Sequence, residues 1–221
     1  MNIATRVRFV PNTQISDIIP VYLRYASPRF LIGYVALALA ARIWAGQWSW
    51  WDLAIAAGIV AAQPFTEWLI HTFILHDRPH IIAGRTVDLH LAKEHRRHHR
   101  DPKDIQAVFI PFRTLVVATP IGVALAILMI PSLPMALTVV LTFAAIINVY
   151  EWTHFYVHSG CRPKNAYARY IERAHRLHHY RNEHYWMGVT VHAADHVLGT
   201  FPDRDDVPVS ETARTLGIET A

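Results

Sequence analysis

Histidine is the residue type in this sequence whose number and spacing point to chemistry. The chain has 15 histidines against 17 aspartates and glutamates together, and ten of the histidines repeat one arrangement, a pair followed by an H-x-x-H-H triplet. The first copy comprises His71, His76, His95, His98 and His99, and the second comprises His154, His158, His175, His178 and His179. Imidazole binds zinc, copper, iron and nickel, so the pattern predicts a metal centre without naming its metal. The single cysteine excludes a cysteine-based zinc site.

Helical spacing indicates which of these rings share a face. Residues three and four apart lie on one side of a helix, so the outer positions of each triplet aim at one locus, as do His154 and His158. His71 and His76 are five apart, which turns them roughly 140° from each other on a regular helix. Either they serve different metals or the helix has ended by His76. Ten ligands are too many for one ion, and two ions with about five positions each are the simpler interpretation.

Carboxylates and further histidines near the motifs are candidates for the groups that orient the ligands. Metal-bound histidines usually donate their other ring nitrogen to a carboxylate or a carbonyl. An acid within a membrane span is costly and tends to be functional, which favours Glu67 and Glu151. The expected supporting residues are Glu67, Glu94, Glu151, Asp195, His192 and His196. We expect His80, His90 and His184 either beside the ligands or at the surface, and no catalytic residue beyond the metal centre.

Composition and hydropathy indicate a membrane protein. Of the 221 residues, 52% are hydrophobic and 17% are charged, whereas soluble domains have about 25% charged residues. Four apolar stretches approach the roughly 20 residues that a helix needs to cross the hydrocarbon layer. These stretches run over 30–46, 53–75, 114–133 and 135–158. We predict one membrane domain, divided into an N-terminal segment 1–29, four spans within 30–158 with a loop 76–113, and a cap and tail 159–221.

Positive charge lies in alternate connections between these spans. Four arginines precede the first span, eight Lys and Arg residues lie in 76–113, and eight more follow His158, whereas the other two connections have none. Positive charge collects on the cytoplasmic side. Both termini, the long loop and both triplets are therefore predicted to be cytoplasmic, and the tail after Pro202 is expected to be polar and poorly ordered. The alternation favours membrane topology over nucleic-acid binding as the reason for the basic charge.

Short motifs flank the histidine boxes between Pro64 and Thr200. They are Glu67-Trp68 before His71; Pro102, Asp104, Phe109 and Pro111 after His99; Tyr150-Glu151 before His154; Ser159-Gly160 after His158; and Tyr180, Gly188-Val189-Thr190 and Gly199-Thr200 after His179. With these flanks, the boxes resemble the integral-membrane fatty acid hydroxylase and sterol desaturase superfamily. Within it, the sequence is most similar to fatty acid 2-hydroxylases.

The resemblance implies an all-α fold, a four-helix transmembrane bundle with a cytosolic, histidine-rich helical cap that holds a dinuclear metal site. It implies two iron ions bound by the ten histidines, with zinc able to replace iron in purified protein, and dioxygen as co-substrate. The implied reaction is hydroxylation of a lipid C–H bond, most directly on a fatty acyl chain. An unactivated C–H bond offers no proton that a side chain could remove, so this chemistry needs a cofactor.

Two departures from the family pattern matter. Eukaryotic relatives often carry a fused haem electron-carrier domain, for which this chain has no room, so a separate electron-donor protein is expected. Residues 191–196 read V-H-A-A-D-H, where relatives tend to have a tryptophan before the aspartate, and this leaves the substrate open.

Alternative functions remain open at this point. Hydroxylation or desaturation of a carotenoid or sterol ring is one, and a metal-binding membrane protein is another. Transport of metal is disfavoured, because transporters place ligands near the bilayer midplane and these histidines lie at span ends. The residues 217–221 contain no ER-retrieval signal, so a bacterial inner membrane is expected rather than the ER.

Overall fold

The computed structural model describes residues 13–218 of the chain and is mainly helical. The helices are α1 (Ile15–Tyr22), α2 (Ala26–Ala45), α3 (Trp50–Ile70), α4 (His90–Arg100), α5 (Ile105–Val108), α6 (Phe112–Met129), α7 (Leu133–His158), α8 (Ala166–Tyr180) and α9 (Ala193–Leu198). A π-helical turn (His71–Leu75) extends α3, and a single 3₁₀ turn covers Arg204–Asp206. Arg6 and Arg8, which contribute to the predicted orientation, lie outside the described residues.

Four stretches of helix are long and apolar enough to cross a membrane. They are Ala26–Ala45, Trp50–Leu75, Ile105–Met129 and Leu133–His158. Only 11% to 28% of the most apolar part of each is buried inside the protein, and Leu37 and Leu128 are 70% and 81% exposed. Apolar surface on this scale suits lipid rather than water. The predicted four-span architecture is confirmed.

Prolines set the boundary between the third and fourth spans. The sequence places the end of the third span at Leu133, but α6 ends at Met129. Ile130 precedes Pro131 and is extended (φ −110°, ψ 113°), because a residue before proline is driven out of the helical region. Pro134 then lies in the first turn of α7, where its missing N–H costs no hydrogen bond.

The bundle packs around α7, which contacts α2, α3 and α6. The buried centre of this packing contains Ala38, Ala126, Val140 and Ala144. Small side chains let helix backbones approach closely, and this is how spans associate where lipid removes the hydrophobic driving force between them.

Arg42, near the C-terminal end of α2, is neutralised inside the bundle at the end away from the histidines. It is fully buried and donates to Asp52 Oδ1 of α3 at 2.7 Å, to Thr138 Oγ1 of α7 at 2.7 Å and to the Gly46 carbonyl at 2.5 Å. The Trp48 ring lies 3.7 Å from its guanidinium carbon. The ion pair thus joins three of the four spans.

We predict that Arg42→Met destabilises the bundle by about 3–5 kcal/mol, because it leaves the Asp52 carboxylate buried without its cation. Thermal unfolding of detergent-solubilised protein measures the effect. Arg173→Met, at an exposed position of α8, is the matched control and is expected to unfold like the wild type. A double change of Arg42→Met and Asp52→Asn is expected to recover part of the loss, and equal stability of all variants would contradict the role of the ion pair.

The histidine-bearing end of the bundle carries a cap formed by α4, α8, α9 and the chain after Pro202, and α5 leads from this cap into the third span. An aromatic core attaches this cap and α1 to α7. Tyr22 packs on Phe155 with ring centroids 5.2 Å apart, and Phe109 stacks on Phe155 at 5.4 Å. The cap is therefore fixed to the same helix that organises the spans.

The expectation of a poorly ordered tail is wrong for residues 203–218. Val207, Ala213 and Leu216 are each at most 4% exposed. The segment is bound mainly by hydrogen bonds between side chains and backbone carbonyls, such as Arg181 Nε to the Val207 carbonyl at 2.7 Å, and by the Ser210 amide to the Arg181 carbonyl at 2.7 Å. Contacts of this kind leave no apolar periodicity, so hydropathy did not reveal them.

A small hairpin lies in the loop 76–113, before α4. Strands β1 (His80–Ile82) and β2 (Arg85–Val87) pair antiparallel, with His80 opposite Val87. Ala83 and Gly84 form the two-residue turn with φ of 50° and 74°, the positive values that such hairpin turns require. The hairpin is exposed throughout and adds no residue to the histidine clusters described below.

Candidate metal centre

The ten motif histidines converge into two adjoining clusters of five. In each cluster, one ring nitrogen from every member lies within 4.8 Å of the others. The first cluster comprises His71, His76, His95, His99 and His178, and the second comprises His98, His154, His158, His175 and His179. The clusters touch, since the His99 and His179 ring centroids are 4.2 Å apart.

Each triplet serves both clusters. The outer residues of the triplet on α4, His95 and His99, join the first cluster, while the middle residue, His98, crosses to the second. The triplet on α8 is divided in the opposite sense, and His178 crosses to the first cluster. The two sequence repeats therefore exchange one ligand each, and neither cluster is complete without both halves of the chain.

A π-helical turn brings His71 and His76, which are five residues apart, to the same side of the helix. The amide of His76 donates to the carbonyl of His71, five residues back, at 3.1 Å. This i to i+5 hydrogen bond widens the turn and stacks residues five apart, as single π turns at functional sites do. The two rings lie 4.8 Å apart in the same cluster, which favours one shared metal for His71 and His76.

The chemistry of the donor set fits metal ions. His99 and His178 donate Nδ1–H to the carbonyls of Ala213 and Tyr185, both at 2.8 Å. A neutral imidazole has one N–H, so the Nε2 atoms of both rings carry lone pairs. These two atoms nonetheless face each other at 3.2 Å, where neither can donate. A cation between them turns this repulsion into coordination.

The nitrogen separations agree with ligands of a shared ion. Nε2 atoms lie 3.1 Å apart for His71 and His95, 3.0 Å for His175 and His179, and 2.8 Å for His158 and His175. Two nitrogens bound to one ion at about 2.1 Å and at roughly 90–110° to each other are about 3.0–3.4 Å apart. Both clusters are thus close to the dimensions of a coordination shell.

Burial keeps the imidazoles neutral, as metal ligation requires. It lowers the pKa of His99 to about 3. It also lowers the pKa of the other clustered histidines outside the spans well below the ordinary value; these are His76, His95, His98, His175, His178 and His179. The lone pairs are therefore available at neutral pH.

Backbone carbonyls, rather than carboxylates, accept the outer N–H groups of three rings in the first cluster, those of His71, His99 and His178. The Met187 carbonyl lies 2.5 Å from His71 Nδ1 and completes the set with Tyr185 and Ala213. Sequence reasoning missed these three residues, because any residue type supplies a carbonyl. The flanking motif Gly188-Val189-Thr190, next to Met187, was the only sequence feature that pointed to one of these carbonyls.

Two of the predicted carboxylates, Glu67 and Asp195, bind backbone amides next to the rings instead of the rings themselves. Four consecutive amides, those of Met187 to Thr190, donate to carboxylates: the first two to Asp195 at 2.9 and 2.8 Å, and the last two to Glu67. We call residues 187–190 the strap. Since its Met187 carbonyl accepts from His71, the two acids fix the acceptor that orients this ring.

Asp195 also organises the residues behind the strap. It accepts from His192 Nδ1 at 2.8 Å and from Thr200 Oγ1 at 2.6 Å. Burial alone would raise the pKa of Asp195, but the hydrogen bonds from His192, Thr200 and Gly188 outweigh it and hold the pKa below its usual value. A β-carbon at Gly188 would lie 2.5 Å from the Val191 carbonyl oxygen, so the strap requires glycine there.

The other expected supporting residues lie apart from the ring nitrogens. Glu151 is buried and accepts from the Ile110 amide at 3.1 Å, which ties α7 to the start of α6. Glu94 pairs with Arg97 on the surface of α4, and His196 pairs with Tyr170 at an exposed position. His192 meets Asp195 rather than a clustered ring. Within residues 13–218, neither Glu94 nor His196 forms a hydrogen bond with a clustered histidine.

Three remaining histidines lie at the surface, one of the two locations expected for them. His80 pairs with Asp77 at 2.8 Å, and His90 and His184 are exposed.

A cavity of about 820 Å³ reaches the second cluster from the cap side, with His158, His175 and His179 in its wall and Lys103 and Arg176 among its basic residues.

The chain is similar to known proteins in sequence and in fold. A family model described as "Fatty acid hydroxylase" matches residues 56–200, which include all ten clustered histidines. The chain belongs to the fatty acid hydroxylase family. The resemblance inferred from the histidine boxes and their flanks is confirmed.

Several members of the fatty acid hydroxylase family are similar to this chain. The dihydroceramide fatty acyl 2-hydroxylase FAH2 of Arabidopsis thaliana is 28% identical over 151 residues, covering 68% of this chain and 61% of that protein. Fatty acid 2-hydroxylase of Rattus norvegicus is 28% identical over 144 residues, covering 63% and 37%. The chain thus spans less than two thirds of the curated relatives it matches.

One solved structure has a similar fold. It is full-length scs7p, in which only the hydroxylase domain is visible, and it covers 89% of this chain and 67% of its own with a TM-score of 0.62 at 20% identity. The likeness supports the arrangement of spans and cap in this member of the fatty acid hydroxylase family.

The exchange of ligands between repeats makes a prediction about paired substitutions. His71→Ala with His178→Ala damages only the first cluster, although the residues come from different repeats, and is expected to leave one of two metal ions bound. His71→Ala with His98→Ala damages both clusters and is expected to leave neither tightly bound. Metal analysis after exposure to a chelator measures both. His90→Ala is the control, and equal metal retention in the two double variants would contradict the grouping.

The strap makes a second prediction. In Asp195→Asn, the new amide NH₂ group faces a donor that now hydrogen-bonds to the carboxylate, so one of these hydrogen bonds is lost. We expect about 10–100-fold weaker metal binding at the first cluster. Zinc titration against a competing chelator measures the affinity. Asp203→Asn, at a nearby exposed position, is expected to match the wild type. Unchanged zinc affinity in Asp195→Asn would contradict a role for the strap in orienting His71.

Proposed function

We propose that the protein hydroxylates a C–H bond of a membrane lipid, with two iron ions held by the ten clustered histidines and dioxygen as co-substrate. The observation that carries this proposal is the pair of adjoining five-imidazole clusters at the ends of apolar spans. Imidazole sets suit iron as well as zinc, and zinc is expected to replace iron in some preparations. Membership of the fatty acid hydroxylase family supports the reaction class.

The atoms and electrons of the reaction define what the chain must supply. A lipid C–H bond, dioxygen, two electrons and two protons give a lipid C–OH group and one water. Iron bound at the clusters would supply the reduction of dioxygen and the transfer of one oxygen atom to carbon. The chain's own part is to hold neutral lone pairs at fixed positions and to exclude bulk water, which burial of the rings achieves.

We propose a fatty acyl chain as the substrate, hydroxylated at its second carbon. The Arabidopsis relative is named for dihydroceramide fatty acyl chains and the rat relative for fatty acids. The clusters lie at the ends of α3 and α7, so an acyl chain among the spans has its head end beside the histidines.

We propose that the electrons come from a separate donor protein on the cap side. The cavity beside the second cluster opens there, and Lys103, Arg162, Arg176 and Arg214 lie along it together with the acids Asp101 and Glu172. A basic surface attracts acidic proteins and raises their rate of encounter.

Comparative lipid mass spectrometry tests the function. A host that makes the protein is expected to contain acyl chains with one added oxygen at the second carbon, absent from cells making the His98→Ala variant. His90→Ala, which changes an exposed histidine, is expected to preserve the product. Added oxygen on isoprenoids instead of acyl chains would replace the substrate assignment, and no oxygenated lipid in any strain with iron-loaded protein would overturn the function.

We also propose that the cap faces the cytoplasm, because the basic residues lie in the loop 76–113 and in the segment after His158. A protease-sensitive tag added after Ala221 is expected to be protected in sealed right-side-out vesicles and cleaved after detergent is added. Cleavage in intact vesicles would reverse the orientation. A tag in the connection between α2 and α3 is the control and is expected to be cleaved from outside.

A further inference from the structure

A small chamber lies against the first cluster on the cap side. Its volume is about 210 Å³, and its walls are formed by Thr72, His76, Arg78, Glu183, His184, Met187 and Leu216. His76 is a member of the first cluster, while His184 has a side chain that is 65% exposed. The chamber therefore joins the metal centre to the surface of the cap.

Two oxygens of the chamber residues are buried without a hydrogen-bond partner within residues 13–218. They are Oε2 of Glu183 and Oγ1 of Thr72. Glu183 is 1% exposed, and Thr212 of the tail donates to its other oxygen. Buried polar groups of this kind are normally satisfied by water, and a chamber of this size, with these oxygens in its residues, can hold several water molecules.

Glu183 is placed to connect the outside of the chamber with its inner wall. Its Oε1 lies 3.5 Å from Nε2 of the exposed His184, and it shares the chamber with His76. The larger cavity at the second cluster differs, because its glutamate, Glu172, is partly exposed and pairs with Arg176 at 3.4 Å. Glu183 is thus the buried acid of the two.

We propose that this chamber is the water-filled port of the first cluster and that Glu183 carries protons through it. The proton-transfer part rests on the proposed hydroxylation, which consumes two protons for each oxygen atom inserted and releases one water. Those protons enter from the cap side, since the spans face hydrocarbon. Glu183 takes a proton from chamber water in contact with solvent and releases it toward the first cluster, returning to its starting state in each turnover.

The port is tested without lipid, electrons or oxygen by azide binding to the cobalt-loaded protein, followed by its visible spectrum. Two phases are expected, one for each cluster. His184→Trp narrows the mouth of the chamber and is expected to slow one phase, whereas Lys103→Trp, on the larger cavity, leaves that phase unchanged. If His184→Trp slows neither phase, the port assignment is overturned, whatever the outcome for hydroxylation.

Glu183 is tested in the iron-loaded protein. Glu183→Gln is expected to keep its metal content and to lose about 100-fold in hydroxylation rate, the usual size of a proton-transfer contribution. Its solvent deuterium isotope effect is expected to rise, and added formate is expected to restore part of the rate. Glu211→Gln, at an exposed position of the tail outside both cavities, is the control and is expected to retain the wild-type rate.

Three results would overturn the role of Glu183. They are an unchanged rate in Glu183→Gln, loss of metal from this variant, or a rate loss that formate does not relieve and that leaves the isotope effect unchanged. Absence of hydroxylation by the wild-type protein would count against the proposed function instead, and the azide experiment would still decide the port.

Discussion

The structure depends on placing many neutral imidazoles so close that their lone pairs face one another. His99 and His178 show this most directly, because carbonyls take the Nδ1 protons of both rings and their Nε2 atoms are 3.2 Å apart. Such an arrangement is unfavourable alone, since neither nitrogen can donate to the other. A shared cation would make it favourable, and metal binding would then be thermodynamically linked to folding of the cap.

The same constraint explains how the two halves of the chain are held together. The cluster ligands come from α3 and its π turn, α4, α7 and α8, and the crossing of His98 and His178 ties the two repeats at the metal centre. At the other end of the bundle, Arg42 joins α2, α3 and α7 through its buried ion pair. Between these two polar attachments the spans pack through small apolar residues, which suits helices surrounded by lipid.

Much of the polar support around the metal centre is backbone. The strap offers its amides to Glu67 and Asp195 and its Met187 carbonyl to His71, while the tail offers the Ala213 carbonyl to His99. This gives the tail and strap a role in orienting ligands that their side chains do not reveal. It also places Glu183 beside the first cluster, because Thr212 of the same tail donates to its carboxylate.

The sequence by itself determined the four spans and the ten clustered histidines, because apolar length and helical spacing are local properties of the chain. It also favoured Glu67 and Glu151 and included Asp195 among the supporting residues, although as direct partners of the rings. Only the tertiary structure decided that His98 and His178 cross between clusters, that a π turn aligns His71 with His76, and that the tail covers the site. These features arise from contacts between distant segments, through backbone groups and chain crossings that leave no periodic pattern.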